Sequence, residues 1–309
     1  MTWAVALLCA GLGTRLRPLT TLVPKPLVPM GDRPLVDHAV RLLLAAGARD
    51  LSFNAFHLPD QMQRYVSSLA SDAASLRCVV ESELLGTAGG LRGLYVDHDH
   101  VLVWNGDIYA PDLDVSALLF FGRQEWPVLV VAPTAGHAGT LGLNRDASVA
   151  RLRHYRFGHE TAAADYVGIG VFPRAFIETL PRQGCLVEDG LIPWLTQGNP
   201  VSTFTHGGYW SDGGTVRQYL AQHRHWLEHG RRERNRGEHS AEAHWEPGAV
   251  CEPTVRVTHS VVGGGARVLG HGELAGCVVW PGAVATAPLR DAVVLPSGIV
   301  VRPEGEGNS

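Results

Sequence analysis

Lysine is nearly absent from this chain: of 26 basic side chains, 25 are arginine and one, Lys25, is lysine. Codon usage biased toward arginine is enough to produce that imbalance. It leaves the surviving lysine as a candidate for a position that arginine's wide planar fork does not suit. Cysteine is scarce as well. Cys9, Cys78, Cys185, Cys251 and Cys277 are odd in number, far apart and form no CxxC pair, which argues against a disulfide framework or a zinc ribbon. No apolar run approaches the roughly 18 to 20 residues that a membrane helix needs; the longest, 3–10 and 42–46, are far shorter. No basic segment precedes the first of them, so it reads as a buried strand rather than a leader, and the cytoplasm is the expected compartment. There is no basic block either. At a net charge of −4, duplex nucleic acid is not an expected partner, because that binding rests on neutralised phosphates. Local basic residues remain available to a small phosphorylated ligand.

What is present is an ordinary globular composition, 45% apolar and 18% charged over 309 residues, enough for one large domain or two smaller ones. Short apolar runs alternate with helix-like stretches. Strands are expected at 3–9, 51–56, 77–80, 101–104, 127–132, 166–172 and 201–205, and helices at 34–46, 60–69, 86–95, 174–180 and 215–229. Alternation at this spacing predicts an α/β fold with a doubly wound, mostly parallel sheet.

Residues 231–246 are charged and nearly free of aliphatics, the texture of a linker or a solvated helix extension. Beyond them SVVGGGARV, CVVWPGAV and AVVLPSGIV form a weak internal repeat at spacings of about 15 to 17 residues. Each copy sets two valines ahead of a turn. Such a repeat resembles the coils of a left-handed parallel β-helix, a small β-meander being the alternative. The expected domains are therefore 1–230, a linker at 231–246 and a short β-helix-like tail at 247–303.

The strongest local signal follows the first strand: Ala10, Gly11, Leu12, Gly13, Thr14, Arg15, with Lys25 set between Pro24 and Pro26. Glycines at the end of a strand let backbone N–H groups approach a phosphate chain, and Thr14 and Arg15 add a donor and a charge. No GK[ST] follows, so this is not a Walker loop, and Leu16 breaks the GxGxxG spacing. His225 and His229 are four apart on an expected helix, but without an HExxH pattern they read as a solvated face, and the DHDH run at 97–100 reads as a loop.

The run LLCAGLGTRLRPLT with PKPLVP resembles the signature of the sugar-1-phosphate nucleotidylyltransferases, nearest to mannose-1-phosphate guanylyltransferase-like members. The likeness continues in order through Glu81-Ser-Glu-Leu-Leu-Gly-Thr-Ala-Gly-Gly90, Trp104-Asn-Gly-Asp107 and Tyr209-Trp-Ser-Asp-Gly-Gly-Thr215. It implies a Rossmann-like domain that converts an NTP and a sugar 1-phosphate into an NDP-sugar and pyrophosphate. Such in-line displacement needs positioned cations and a metal rather than an activated nucleophile.

On that resemblance Arg15 binds the departing β- and γ-phosphates, Lys25 binds the α-phosphate and the incoming oxygen, and Asp107 and Asp212 hold Mg²⁺. Ala10, Gly11, Gly13, Thr14, Glu81, Gly86, Thr87 and Asn105 complete the nucleotide site, with Glu81 reading the base. A carboxylate there suits the two N–H donors of guanine better than uracil or thymine, which favours GTP with mannose 1-phosphate. Uridylyl transfer to N-acetylmuramic acid 1-phosphate stays open.

On the sugar side the resemblance points to Gly139, Gly168 and Glu188. The family's Glu-Lys-Pro is missing; Arg153-His-Tyr-Arg156 stands nearby, so Arg153 or Arg156 is expected to replace the lysine on the sugar phosphate. A homo-oligomer through the C-terminal tail is expected. Two further readings remain: an added acyl transfer on the tail, and a non-catalytic nucleotide-sugar-binding homologue.

Overall fold

The computed structural model describes residues 3–69, 75–95, 97–134, 138–229 and 243–303. It divides into two compact units. The first gathers Met1–Leu12, Pro24–Pro26 and Val36–Trp210; the second gathers Gly13–Val23, Leu27–Leu35 and Ser211–Ser309.

The first unit is built on a ten-stranded mixed sheet. Its strands are β1 (Trp3–Leu8), β2 (Asp50–Ala55), β3 (Ser75–Val80), β4 (His100–Asn105), β5 (Val128–Pro133), β6 (Leu141–Leu143), β7 (Val149–Leu152), β8 (Tyr155–Arg156), β9 (Ala162–Pro173) and β10 (Ser202–Thr205). The central strands β4, β1, β2 and β3 lie side by side and parallel. The interiors of β1 and β4 are buried on both faces, which is why they read in the sequence as near-continuous apolar runs, whereas β2 is buried but carries Ser52 and Asn54 and β3, at the edge, is only half-buried. Helices α1 (Leu35–Ala45), α2 (Pro59–Ser68) and α3 (Gly86–Leu94) fill the crossovers that parallel pairing demands.

Beyond β4 the sheet is mostly antiparallel, although β10 pairs in parallel with β5. The long β9 runs against β4 through Ile169–Pro173 and against β6 through Ala162–Ala164. It also pairs with β5, with a register shift between Tyr166 and Gly170. The short strands β6, β7 and β8, absent from the sequence expectation, form a meander there. The helix expected at 174–180 covers only Arg174–Ile177, and a π-helix at Leu186–Leu191 runs directly into Ile192–Thr196. One apolar cluster, including Leu91, Val103, Leu129, Phe172, Phe176 and Leu191, ties α3 and these turns to the sheet.

In the second unit a hairpin, Pro29–Met30 with Arg33–Pro34, turns at Gly31. Gly31 has φ +65°, and a β-carbon on it would stand 2.2 Å from the Trp226 ring. Trp226 belongs to the helix Val216–His229, whose Tyr219 hydroxyl donates to the Pro29 carbonyl. Of the two histidines read as a solvated face, His229 is exposed and His225 half-buried, while His223 on the same helix is buried, with Nδ1 2.9 Å from the Tyr219 carbonyl oxygen.

Of the expected linker, 231–242 lie outside the described residues, and Ala243–Trp245 forms a strand. From there the chain stacks parallel strands in two sheets, ending in one antiparallel pair, Val293–Val294 with Val300–Val301. Ala243 pairs with Ser260, Val261 with Val278, and Val278 with Val293. These are offsets of about 17, 17 and 15 residues, which match the repeat. The valine doublets form the buried column: Val261, Val262, Val278, Val279, Val293 and Val294 all lie inside.

Candidate active site

Parallel pairing sets Leu8 beside both Asn54 and Asn105, so the residues that follow each strand emerge together at the carboxyl edge, where α/β sheets bind ligands. The Gly106 amide donates to the Leu8 carbonyl at 2.9 Å, and the Cys9 amide donates to Asn54 Oδ1 at 2.6 Å. A β-carbon on Gly106 would stand 2.4 Å from Cys9 Sγ and 3.3 Å from Pro26 Cγ. Glycine at 106 is therefore what allows the Pro24–Pro26 segment to lie against the strand end, and that segment carries Lys25.

Lys25 is buried, and its Nζ donates to Asp107 Oδ2 at 2.7 Å. The lysine side chain is 8% exposed and the aspartate's is 32% exposed. Two residues expected to handle phosphate and metal thus hold each other. Burial pushes the Cys9 thiol up, with the Asp107 carboxylate adding to it, so Cys9 stays a protonated thiol and offers no nucleophile. Ala10 is buried, whereas Gly11 is exposed, and a β-carbon there would meet nothing within 4 Å. Open space beside a backbone amide at the strand end is what a phosphate chain needs.

Glu81 lies elsewhere than the edge of an open base pocket would suggest. It is buried, Oε1 accepts from the Asn54 amide at 2.7 Å and Oε2 from the Leu85 N–H at 3.2 Å. Glu81 therefore links β2 to the turn ahead of α3. Gly86 and Gly89 meet the chain rather than open space, since β-carbons on them would stand 2.3 Å from the carbonyl oxygens of Gly184 and Arg182. Thr87 Oγ1 accepts from the Leu186 N–H at 2.8 Å. Asn105 packs beside Gly168, where a β-carbon would lie 2.8 Å from its amide nitrogen. Asn54, which joins Cys9 to Glu81, is a candidate-site residue that the sequence reading missed. Its signal was a polar residue at the carboxyl end of an expected strand, in step with Ser52 on the same face.

On the sugar side the structure brings two candidates together and separates a third. Arg153 Nη1 lies 2.5 Å from Glu188 Oε1. Arg156 is largely exposed, with Glu160 Oε2 at 3.9 Å from its Nη1. Gly168 sits in the irregular stretch of β9 with φ +86°, and Gly139, with φ +63°, has no room for a β-carbon beside the Ala164 carbonyl.

In the second unit Gly13 adopts φ 60°, ψ 31° ahead of the short turn Thr14–Leu16, and its carbonyl accepts from Thr20 Oγ1 at 2.9 Å. Thr14 and Arg15 are exposed. Arg15 Nη2 lies 3.2 Å from Asp212 Oδ2, and Asp212 Oδ1 accepts from the Gly214 N–H at 3.1 Å. A β-carbon on Gly214 would press on both partners, at 2.8 and 2.9 Å. Each expected phosphate cation is thus paired with an expected metal carboxylate, within its own unit.

Residues 4–128 match the family model described as Nucleotidyl transferase. Over that N-terminal part the chain is similar to the nucleotidyl transferases. Among curated relatives, the mannose-1-phosphate guanyltransferases of Gibberella zeae and Pichia angusta are 26% and 29% identical over 235 and 227 residues, each covering 70% of this chain. The chain spans 62% of the length of those relatives. HddC from Yersinia pseudotuberculosis, complexed with GMP-PN, superposes with a TM-score of 0.60 at 21% identity, over 72% of this chain and 98% of HddC. A UDP-glucose pyrophosphorylase from Acinetobacter baumanii gives 0.62 at 19%, over 74% and 95%. The chain shares the fold of these structures.

At this candidate site the metal question turns on donor chemistry. Among the described residues no group of three or more His, Cys, Asp or Glu side chains forms a ready-made metal site. Asp107 and Asp212 offer oxygen only and remain partly exposed. Few carboxylates, with waters and phosphate oxygens completing the shell, is the pattern that suits Mg²⁺. No helix among the described residues is long and apolar enough to cross a membrane.

Proposed function

We propose that the chain transfers a nucleotidyl group from an NTP to a sugar 1-phosphate, releasing pyrophosphate, with GTP and mannose 1-phosphate as the favoured pair. The observation that carries this reading is the single lysine, buried behind a glycine-dependent strand end and paired with Asp107. A phosphate oxygen of the sugar 1-phosphate attacks the α-phosphorus, the bond from that phosphorus to the bridging oxygen breaks, and pyrophosphate leaves with the electron pair. Lys25 neutralises the α-phosphate and the incoming oxygen, a compact ammonium fitting between two closely spaced phosphates. Arg15 takes the departing phosphates through its planar fork. Asp107 and Asp212 would hold Mg²⁺, which when bound supplies charge neutralisation on the phosphates. Gly11 leaves its amide open to the phosphate chain.

The choice of base follows the mannose-1-phosphate guanyltransferase relatives; Glu81 anchors the turn ahead of α3 rather than facing an open pocket. For the sugar, Arg153 held by Glu188 is the better placed substitute for the missing lysine. The division at 1–230, 231–246 and 247–303, a left-handed β-helix for the tail, assembly of copies through it and a cytoplasmic setting belong to the same proposal. Support for the tail comes from its repeating parallel offsets. The test is to incubate the chain with Mg²⁺, each of five NTPs including dTTP, and a panel of sugar 1-phosphates, and to measure pyrophosphate. GTP with mannose 1-phosphate is expected to be fastest. Release with no pair overturns the reading and favours a non-catalytic nucleotide-sugar-binding homologue.

A further inference from the structure

We infer that Gln222 is a positioning residue for Asp212, setting the direction in which that carboxylate faces. The inference rests on the reading of Asp212 as a metal carboxylate. Gln222 lies on the helix Val216–His229 and is completely buried. Its Nε2 donates to the Ser211 carbonyl at 3.0 Å, while Oε1 has no hydrogen-bond partner among the described residues. A buried amide with one end unsatisfied is unusual and calls for a reason.

The reason lies in Gly213. This residue has φ +52°, and a β-carbon on it would stand 2.6 Å from Gln222 Oε1. The amide thus occupies the space where a side chain at 213 would go, and the missing side chain lets the amide reach the Ser211 carbonyl. The two positions specify each other. Between them lies Asp212, held on one side by the Gln222–Ser211 bond and on the other by the Gly213 N–H on Ser211 Oγ at 3.1 Å. With both neighbours fixed, the carboxylate accepts from the Gly214 N–H and faces Arg15. An apolar side chain of equal volume at 222 would fill the space yet leave the Ser211 carbonyl without its donor. The chain would then be free to rotate the peptide that leads into Asp212.

The test uses the full chain and Mn²⁺ binding, read by electron paramagnetic resonance in the presence of the β,γ-imido analogue of GTP. Binding of the analogue alone is measured first. In Gln222→Met the Mn²⁺ affinity is expected to fall about 10-fold to 100-fold, as when the support behind a metal ligand is removed. Analogue binding without metal and the melting temperature should stay close to those of the parent chain. In the Asp212→Asn background Gln222→Met should add nothing, since the carboxylate it orients is gone. Unchanged Mn²⁺ affinity in Gln222→Met overturns the inference, as does an equal fall in analogue binding, Mn²⁺ affinity and melting temperature, which marks a merely structural role. If Asp212→Asn itself keeps full Mn²⁺ affinity, the metal reading of Asp212 fails first, and this inference fails with it. Should Gln222→Met not fold, Ser211→Ala removes the second hold on the same turn and is expected to weaken Mn²⁺ binding about threefold; parent-like affinity there counts against the inference.

Discussion

Lys25 Nζ and Asp107 Oδ2 are 2.7 Å apart, with the cation inside the protein and the anion at its edge. A buried ammonium left without an anion is costly, so under the proposed function Lys25 keeps Asp107 until a phosphate replaces it. Asp107 is then free to serve a metal only when nucleotide is present, and metal and nucleotide should bind together. Lys25→Met removes the competitor. Titrated with Mn²⁺ in the absence of nucleotide, that variant is expected to bind about tenfold more tightly than the parent chain, the effect of removing a contacting opposite charge from a carboxylate. Equal affinities would show that the ion pair does not restrain Asp107.

Lys25→Arg asks a different question of the same pocket. The charge is kept, but the planar guanidinium is wider than the ammonium and has almost no exposed volume to expand into. The melting temperature should change by a few degrees at most. Turnover should fall about 100-fold, comparable with losing one preorganised charge-stabilising donor. Near-normal pyrophosphate release would sink the assigned role of Lys25.

Gly11 and Gly106 flank the same strand ends yet should fail in opposite ways. A methyl group at 106 collides with Cys9 Sγ and crowds Pro26, so Gly106→Ala should destabilise the fold by about 1–3 kcal/mol, the usual cost of overpacking. A methyl at 11 touches nothing. Gly11→Ala should leave the denaturation midpoint unchanged while raising the KM for NTP about tenfold, since it stands where the phosphate chain must approach. Loss of stability in Gly11→Ala, or none in Gly106→Ala, would contradict this.

Arg153 and Arg156 were equivalent candidates in the sequence and are not equivalent in the structure. Arg153 is oriented by Glu188, whereas Arg156 projects toward solvent with a distant partner. Arg153→Ala should raise the KM for sugar 1-phosphate about tenfold with the KM for NTP unchanged, the loss of one charge-assisted contact. Arg156→Ala should stay within about twofold, as for a surface charge. Steady-state kinetics with each substrate varied in turn decides between them.

The parallel heart of the sheet was legible because strands buried on both faces must be apolar along their length, and because glycine turns and Asp107 mark where they end. The meander of β6, β7 and β8 was not, since strands of two to four residues carry too little periodicity to register. The site's residue types were readable, but its pairings were not. Arg15 and Asp212 are separated by 197 positions, and Lys25 and Asp107 by 82. Glu81 shows the limit most plainly: nothing local to it reveals that Asn54, 27 residues earlier, occupies one of its oxygens.

The thiols give a pH dependence whose sign can be worked out. Burial pushes Cys277 up from about 9 to about 11. Below the ordinary thiol range the folded and unfolded chains carry the same proton, and stability does not depend on it. Between pH 9 and pH 11 the unfolded chain releases that proton while the folded chain keeps it, so stability falls as pH rises. Cys277→Ala removes this term. The loss of unfolding free energy between pH 8 and pH 10 should be about 1 kcal/mol smaller in the variant than in the parent, one pKa unit being worth about 1.4 kcal/mol. Denaturant titrations at the two pH values measure it. An identical loss in both chains would mean that the Cys277 thiol ionises as readily in the folded protein as in the unfolded one.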